Sequence, residues 1–228
     1  MYLSRLRLNP LSNQVKTELN DIYQLHRTIL KAFSEELSKD ERVLFRVEPL
    51  PRHSPPFLLV QSQTKPDWEY CHSLQDNRQR PYLLPDHLRS FDDGPNPAVG
   101  TFDFNDLEAG QVCRFRLRAN PTKRLNKDIP EKNLKKGQRI GLFAEGEQLA
   151  WLQRQAESHG FVVGNLHIVD EGFHGGKTKD EQRLKFFAVR FEGQLQVIDP
   201  EAMLKTVKSG IGPAKAFGCG LLSLAPVR

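Results

Sequence analysis

Tyr23 and His26 stand three residues apart in Asp21-Ile22-Tyr23-Gln24-Leu25-His26-Arg27-Thr28-Ile29-Leu30, so on a helix a phenol and an imidazole become surface neighbours. The apolar residues Ile22, Leu25, Ile29, Ala32, Phe33 and Leu37 recur with helical rhythm and predict a helix from Asp21 to Ser38. On that helix His26 falls at the edge of the buried stripe and Tyr23 just outside it. An imidazole half in the core and half at its rim has a tunable pKa and still reaches a substrate. In a basic chain this pairing points to proton transfer on an anionic substrate. The same two residues also suit ordinary amphipathic packing with a wet polar tip. Their spacing does not choose between the two roles; the rest of the chain has to.

The totals narrow the field. A chain of 228 residues suits one large domain or two of about 100 residues each. With 38% hydrophobic residues and 16 glycines, a core forms without staples. Thirty-three Lys and Arg against 28 Asp and Glu give +5 and a pI near 9.1, a mild excess whose distribution decides its meaning. Ten Lys or Arg fall between Arg114 and Arg139, against only Asp128 and Glu131. That is a footprint for a polyanion, with a solvated Lys-rich surface as the alternative. Cys71, Cys113 and Cys219 are widely separated and form no metal-ligand spacing, which argues against zinc and against a disulfide framework. Asp92-Asp93-Gly94 with Asp103 and Asp106 is the candidate carboxylate cluster for metal chemistry, but turn formation accounts for it better. His159, His167 and His174 also lack paired spacing. No metal and no cofactor are expected. The amino terminus reads as a strand and no apolar run approaches the roughly 18 residues of a membrane span, so a reduced, cytoplasmic protein without a membrane partner is expected.

Two similar halves must position these residues. Strand patterns at Leu3–Leu8, Val43–Glu48 and Phe57–Gln61 surround the helix and give β-α-β-β. A segment from Pro66 to Asp106, with prolines at 66, 81, 85, 95 and 97, reads as loop and short helix. It marks a boundary between a first domain at 1–95, carrying the Tyr23–His26 helix, and a second at 96–228. Strands follow at Val112–Arg118 and Arg139–Phe143, then a helix at Glu145–Ser158 with Leu149, Trp151, Leu152 and Ala156 inward. Further strands read at Phe161–Val169, Leu184–Phe191 and Gln194–Ile198. A helix capped by Asp199-Pro200 and a closing strand at Leu221–Leu224 complete the chain. The rhythm predicts an α+β protein of two tandem ferredoxin-like βαββαβ units.

Two further segments bear on binding. In Gly210-Ile211-Gly212-Pro213-Ala214-Lys215-Ala216-Phe217-Gly218-Cys219-Gly220, the glycines let backbone N–H groups approach a phosphate and Lys215 adds charge. Its spacing fits neither a dinucleotide fingerprint nor a Walker loop, and a turn tucking in the last strand explains it as well. Asp170 to Arg183 reads as a loop between strands, with His174, Lys177, Lys179 and Arg183 making a basic tip suited to a nucleic-acid groove; a solvated turn fits its composition equally.

Taken in order, Tyr23-Gln24-Leu25-His26-Arg27, Phe115-Arg116-Leu117-Arg118-Ala119-Asn120-Pro121, Gln148-Leu149-Ala150-Trp151-Leu152-Gln153-Arg154, and Gly210 to Lys215 with Gly220 to Pro226 resemble the CasE family. These are CRISPR repeat-processing endoribonucleases of the type I-E Cascade complex, and the resemblance runs nearly end to end. It implies tandem ferredoxin-like domains that bind a repeat hairpin in CRISPR precursor RNA and cut at its 3′ base without metal. The 2′-hydroxyl attacks the neighbouring phosphate, leaving 2′,3′-cyclic phosphate and 5′-hydroxyl ends. The mature crRNA is retained alongside other Cascade subunits. On this chain the resemblance makes His26 the main proton-transfer residue, with acid and base roles both open and general acid the one carried forward. Tyr23 would orient His26 or the phosphate, and Lys31 would stabilise phosphorane charge. Arg27, Arg116, Arg118, Lys123, Arg124, Lys177, Lys179, Arg183, Gly210, Gly212 and Lys215 would contact RNA. A non-catalytic RNA-hairpin-binding scaffold of the same fold is the alternative.

Overall fold

The computed structural model describes residues 1–33, 37, 41–48, 55–88, 94–104, 106–177 and 183–227. The first unit runs β1 (Tyr2–Arg7), α1 (Asn13–Asn20), α2 (Ile22–Leu30), β2 (Leu44–Glu48), β3 (Phe57–Ser62), α3 (Tyr70–Ser73) and β4 (Ala98–Thr101). Its antiparallel sheet has the order β2-β3-β1-β4. The second unit runs β5 (Val112–Ala119), β6 (Thr122–Arg124), β7 (Arg139–Gly141), α4 (Glu145–Ser158), β8 (Phe161–Lys177), β9 (Arg183–Val197), α5 (Pro200–Ser209) and β10 (Leu222–Pro226). Its sheet has the order β10-β5-β9-β8, while β6 and β7 form a separate ribbon. Counting the four sheet strands of each unit in chain order, both sheets read 4-1-3-2 and every ladder is antiparallel. This is the ferredoxin-like arrangement twice over, as the strand rhythm predicts.

Local chemistry explains several elements. In β5, Cys113, Phe115, Leu117 and Ala119 point into the second core while Arg114 and Arg116 take the other face, so strict alternation becomes a two-faced strand. Asp199 accepts from the N–H groups of Glu201 and Ala202, both at 3.0 Å, and Pro200 opens α5. Gly193 lies where a β-bulge brings Asn165 against β9; a Cβ there would sit 1.9 Å from the Asn165 carbonyl.

In six respects the structure differs from the sequence reading. The helix expected to reach Ser38 ends at Leu30, where Lys31, Ala32 and Phe33 tighten to i→i−3 bonds. Asp67 N–H seizes the Ala32 carbonyl at 2.7 Å, and Phe33 packs edge-on against Trp68, so a tertiary contact overrides the periodicity. Residues 34–36 and 38 lie outside the described residues. An unforeseen helix, α1, buries Val15 and Glu18 rather than an apolar stripe, which hides it from pattern reading. The first sheet takes in β4, beyond the boundary expected at residue 95; β4 is a mostly exposed edge strand with no alternation to betray it. The segment read as a loop from Asp170 is strand as far as Lys177, and the strands expected at 184–191 and 194–198 are one. In α4, Leu149 is exposed and Gln148 is buried in its place.

The two units share core. Leu6, Leu25, Ile29, Phe45, Leu58 and Val60 of the first pack with Phe186, Ala188 and Cys219 of the second. Across the same junction Gln61 Nε2 donates to the Val207 carbonyl at 2.7 Å.

Candidate active site and nucleic-acid interface

The helix α2 is held from three sides. At its start the Asp21 carboxylate accepts from Tyr23 N–H at 3.2 Å, satisfying an orphan donor of the first turn. On its buried face Thr28 Oγ1 donates to Glu18 Oε1 at 2.8 Å. Glu18 also accepts from Gln14 at 2.9 Å and from the Tyr82 hydroxyl at 2.6 Å, so the buried carboxylate is well supplied with donors. Tyr70 hydroxyl donates to the Thr28 carbonyl. The third support is the β8–β9 hairpin. Gly176 lies so close that a Cβ would sit 2.2 Å from Asp21 Oδ1 and 3.3 Å from Tyr23 Cβ, and Lys177 N–H reaches Asp21 Oδ2 at 3.4 Å. The start of α2 and the end of β8 therefore form one packed unit.

His26 is half-buried and stacks on Phe45, with ring centroids 6.0 Å apart and planes at 15°. Its Nδ1 is buried with no hydrogen-bond partner among the described residues, leaving Nε2 as the nitrogen able to meet a substrate. Burial pushes the imidazole below its ordinary pKa, because a proton on Nδ1 would be stranded. Tyr23 is half-buried beside it, and Arg27 is exposed on the same helix. Lys31 is exposed at the opposite end, as the C-cap; burial pushes the nearby Cys71 thiol up to about 11, and the Lys31 charge offsets only part of that. Tyr23 and His26 thus lie one turn apart on α2, and Lys31 closes its C-terminal end.

The basic candidates divide into two groups. Lys123 and Arg124 are exposed on the β6–β7 ribbon, where Lys123 meets Glu147 at 2.7 Å, and Lys177 is exposed at the end of β8. Arg183 opens β9, and Lys179 lies outside the described residues. The others are bound into the frame. Arg118 is buried, its Nε 2.6 Å from Glu171 and its Nη1 3.3 Å from the Phe217 and Gly218 carbonyls. Arg116 reaches Glu48 and, at 2.7 Å, Glu192. Lys215 donates to the Ser209 carbonyl at 2.7 Å, and burial lowers its pKa. At Gly210, with φ +73°, a Cβ would meet the Gly220 carbonyl and Leu44 at 2.9 Å; at Gly212 it would meet Trp151 at the same distance. The glycines let this loop fold tightly on itself and against Leu44 of β2 and Trp151 of α4.

One ionic chain crosses the molecule from Arg46 through Glu48, Arg116, Glu192, Arg190 and Glu171 to Arg118. It ties β2 of the first unit to the glycine loop and the hairpin of the second. Beside it a cleft of about 420 Å³ opens between α2 and the hairpin, lined by Ile22, Val47, Arg118, Glu171, His174 and Arg190 among others. Sequence reasoning missed Asp21, Phe45, Glu171 and Gly176 as supports. The Gly175-Gly176 pair was the available signal, since paired glycines in a strand mark a close approach.

Two ferredoxin-like units locked by an ionic chain, with an imidazole and a phenol on a surface helix beside a basic hairpin, define a class of tandem-domain proteins suited to an extended polyanion. The chain belongs to the family described as CRISPR associated protein, which it matches over residues 1–226. It is 38% identical, across 99% of its own length and 100% of the relative's, to the CRISPR-associated endoribonuclease Cse3 of Thermus thermophilus. It is 33% identical, across the whole of both chains, to the CRISPR system Cascade subunit CasE of Escherichia coli. A solved structure of CRISPR endoribonuclease Cse3 bound to a 19-nucleotide RNA superposes with a TM-score of 0.77 at 36% identity, covering 99% of this chain and 100% of that one. The CRISPR-associated protein Cas6e of Escherichia coli gives 0.69 at 30% identity, covering all of both. Among the described residues, no helix is long and apolar enough to cross a membrane.

Proposed function

We propose that this chain is a metal-independent endoribonuclease that cuts CRISPR precursor RNA at the 3′ base of the repeat hairpin. It then keeps the mature guide RNA as a Cascade subunit in the cytoplasm. The observation that carries this is the half-buried His26, whose Nδ1 is buried so that Nε2 is left to meet substrate, one turn from Tyr23 on α2, in a chain similar from end to end to an endoribonuclease.

The 2′-hydroxyl oxygen attacks the adjacent phosphorus as the bond to the 5′-oxygen breaks, giving a 2′,3′-cyclic phosphate and a 5′-hydroxyl. His26 Nε2 supplies the proton to the leaving oxygen. A partnerless buried Nδ1 makes the imidazolium a stronger acid than an exposed one, and the scissile phosphate draws the proton onto the ring when RNA binds. Tyr23 orients the phosphate, and Arg27 neutralises a neighbouring one. Lys31, at the C-terminal end of α2, stabilises the charge that develops on the phosphorane. Lys177, Lys179 and Arg183 enter the stem groove, where an A-form helix is read mainly by shape, and Lys123 and Arg124 meet its backbone. Arg116, Arg118, Lys215, Gly210 and Gly212 hold the glycine loop and hairpin in the shape that receives RNA.

The test is cleavage of a labelled repeat hairpin in EDTA, against a matched RNA with one 2′-deoxy nucleotide at the cut. Cutting of the first alone supports the proposal. Tight binding of both without cutting would make the chain a scaffold, and rescue by Mg²⁺ would overturn the metal-free mechanism.

A further inference from the structure

On the helix-covered face of the second sheet, the apolar row of β9 runs from Phe191 and Val189 in the core to Phe187, and Phe173 of β8 lies directly opposite Phe187. Phe143, just past β7, completes a group of three. Phe187 is the hub: its centroid lies 5.1 Å from Phe143 and 5.2 Å from Phe173, with near edge-on planes at 78° and 70°. The two outer rings are 53% and 57% exposed. They are also rigidly presented. Buried Gln148 donates to the Phe143 carbonyl at 3.3 Å and to Asp170 at 2.9 Å, tying the Phe143 turn to β8. Phe143 lies over Gly141, where a Cβ would meet its ring at 3.0 Å.

Apolar rings held open to water mark a binding surface, and the charge around them indicates the partner. Lys185, on the same face of β9, places Nζ 4.2 Å from the Phe173 ring centroid. The β6–β7 ribbon leading into Phe143 carries Arg124 and Arg139, besides Lys123, which is paired with Glu147 of α4. Flat aromatic faces rimmed by cations are how proteins hold unpaired bases.

We infer that Phe143 and Phe173 form a stacking platform for an unpaired nucleobase of the bound RNA, with Lys185 holding its flanking phosphate. This rests on the RNA-cleaving reading above and adds a binding site separate from Tyr23 and His26.

The test uses the full chain and two labelled RNAs, the repeat hairpin with its unpaired flanks and the same stem trimmed of them. Phe143→Ala with Phe173→Ala weakens binding of the flanked RNA about tenfold or more, leaves the trimmed stem unchanged, and keeps the wild-type slope of affinity against salt. Phe173→Trp with Phe143→Trp restores binding, and K185Q lowers the salt slope by about one. Wild-type affinity of the double alanine variant for the flanked RNA would overturn the platform, as would equal loss on both RNAs. Unchanged RNA binding with lost assembly into the multisubunit complex would show a protein-docking patch instead. If the wild-type chain binds neither RNA, the RNA-cleaving reading itself fails.

Discussion

His26 shows how one side chain is adjusted by what surrounds it. Burial of its ring, with no acceptor for Nδ1 among the described residues, disfavours the charged form, and His174 is held down similarly by burial and by Arg118. In both, the folded pKa lies below the unfolded value of about 6.5. The unfolded chain therefore binds more protons in the window below that value. Their contribution to stability is full above it and is lost as pH falls through the folded pKa. The melting temperature should fall between about pH 7.5 and about pH 5, and less steeply in His174→Gln. If the slope is unchanged in that variant, another group governs the acid limit. For catalysis, His26→Ala should slow single-turnover cleavage by about 10²–10⁴-fold with hairpin affinity nearly constant. A parallel loss of affinity would mean that the imidazole binds RNA rather than moving a proton.

At the level of elements, the close packing of β8 on the start of α2 couples the hairpin to the proposed catalytic helix. Gly176→Ala would drive a methyl into the Asp21 carboxylate and push Oδ1 off the Tyr23 N–H that it caps. The expected cost is about 1–3 kcal/mol of stability, with a slower cut. Asp21→Ala, which removes the cap, should cost about 1 kcal/mol. Thermal melts and single-turnover rates check both; an unaltered rate in Gly176→Ala would uncouple hairpin from helix. The hairpin was only partly readable from its residues. The Gly-rich stretch 172–176 suggests a loop, yet it pairs along its length because Phe173, His174 and Lys177 find β9 partners in Phe187, Phe186 and Arg183. Likewise α1 escapes pattern reading because its buried face depends on Glu18, whose partners come from Thr28 and Tyr82.

Across the whole molecule, the ionic chain holds the two sheets in a fixed relation. Arg46 and Glu48 have side chains only 2% exposed, and Arg46 also donates to the Leu221 carbonyl at 3.1 Å and to Ser223 Oγ at 2.9 Å. Glu48→Ala strands a buried guanidinium and should destabilise by about 3–5 kcal/mol, seen in urea melts. The double change Arg46→Met with Glu48→Leu should cost far less, because it removes both charges together. Equal loss in single and double variants would mean that the pair contributes packing rather than charge balance.

The sequence by itself determined the repeated strand–helix rhythm, the helix carrying Tyr23 and His26, and the concentration of positive charge from Arg114 to Arg139. These depend on periodicity and composition, which are local. Only the tertiary structure decided that α2 stops at Leu30, that β4 closes the first sheet, and that Arg116 and Arg118 are engaged by glutamates distant in sequence. Each of those outcomes depends on a partner far along the chain, such as Asp67 for Ala32 or Glu171 for Arg118, and no local pattern encodes which distant group will arrive.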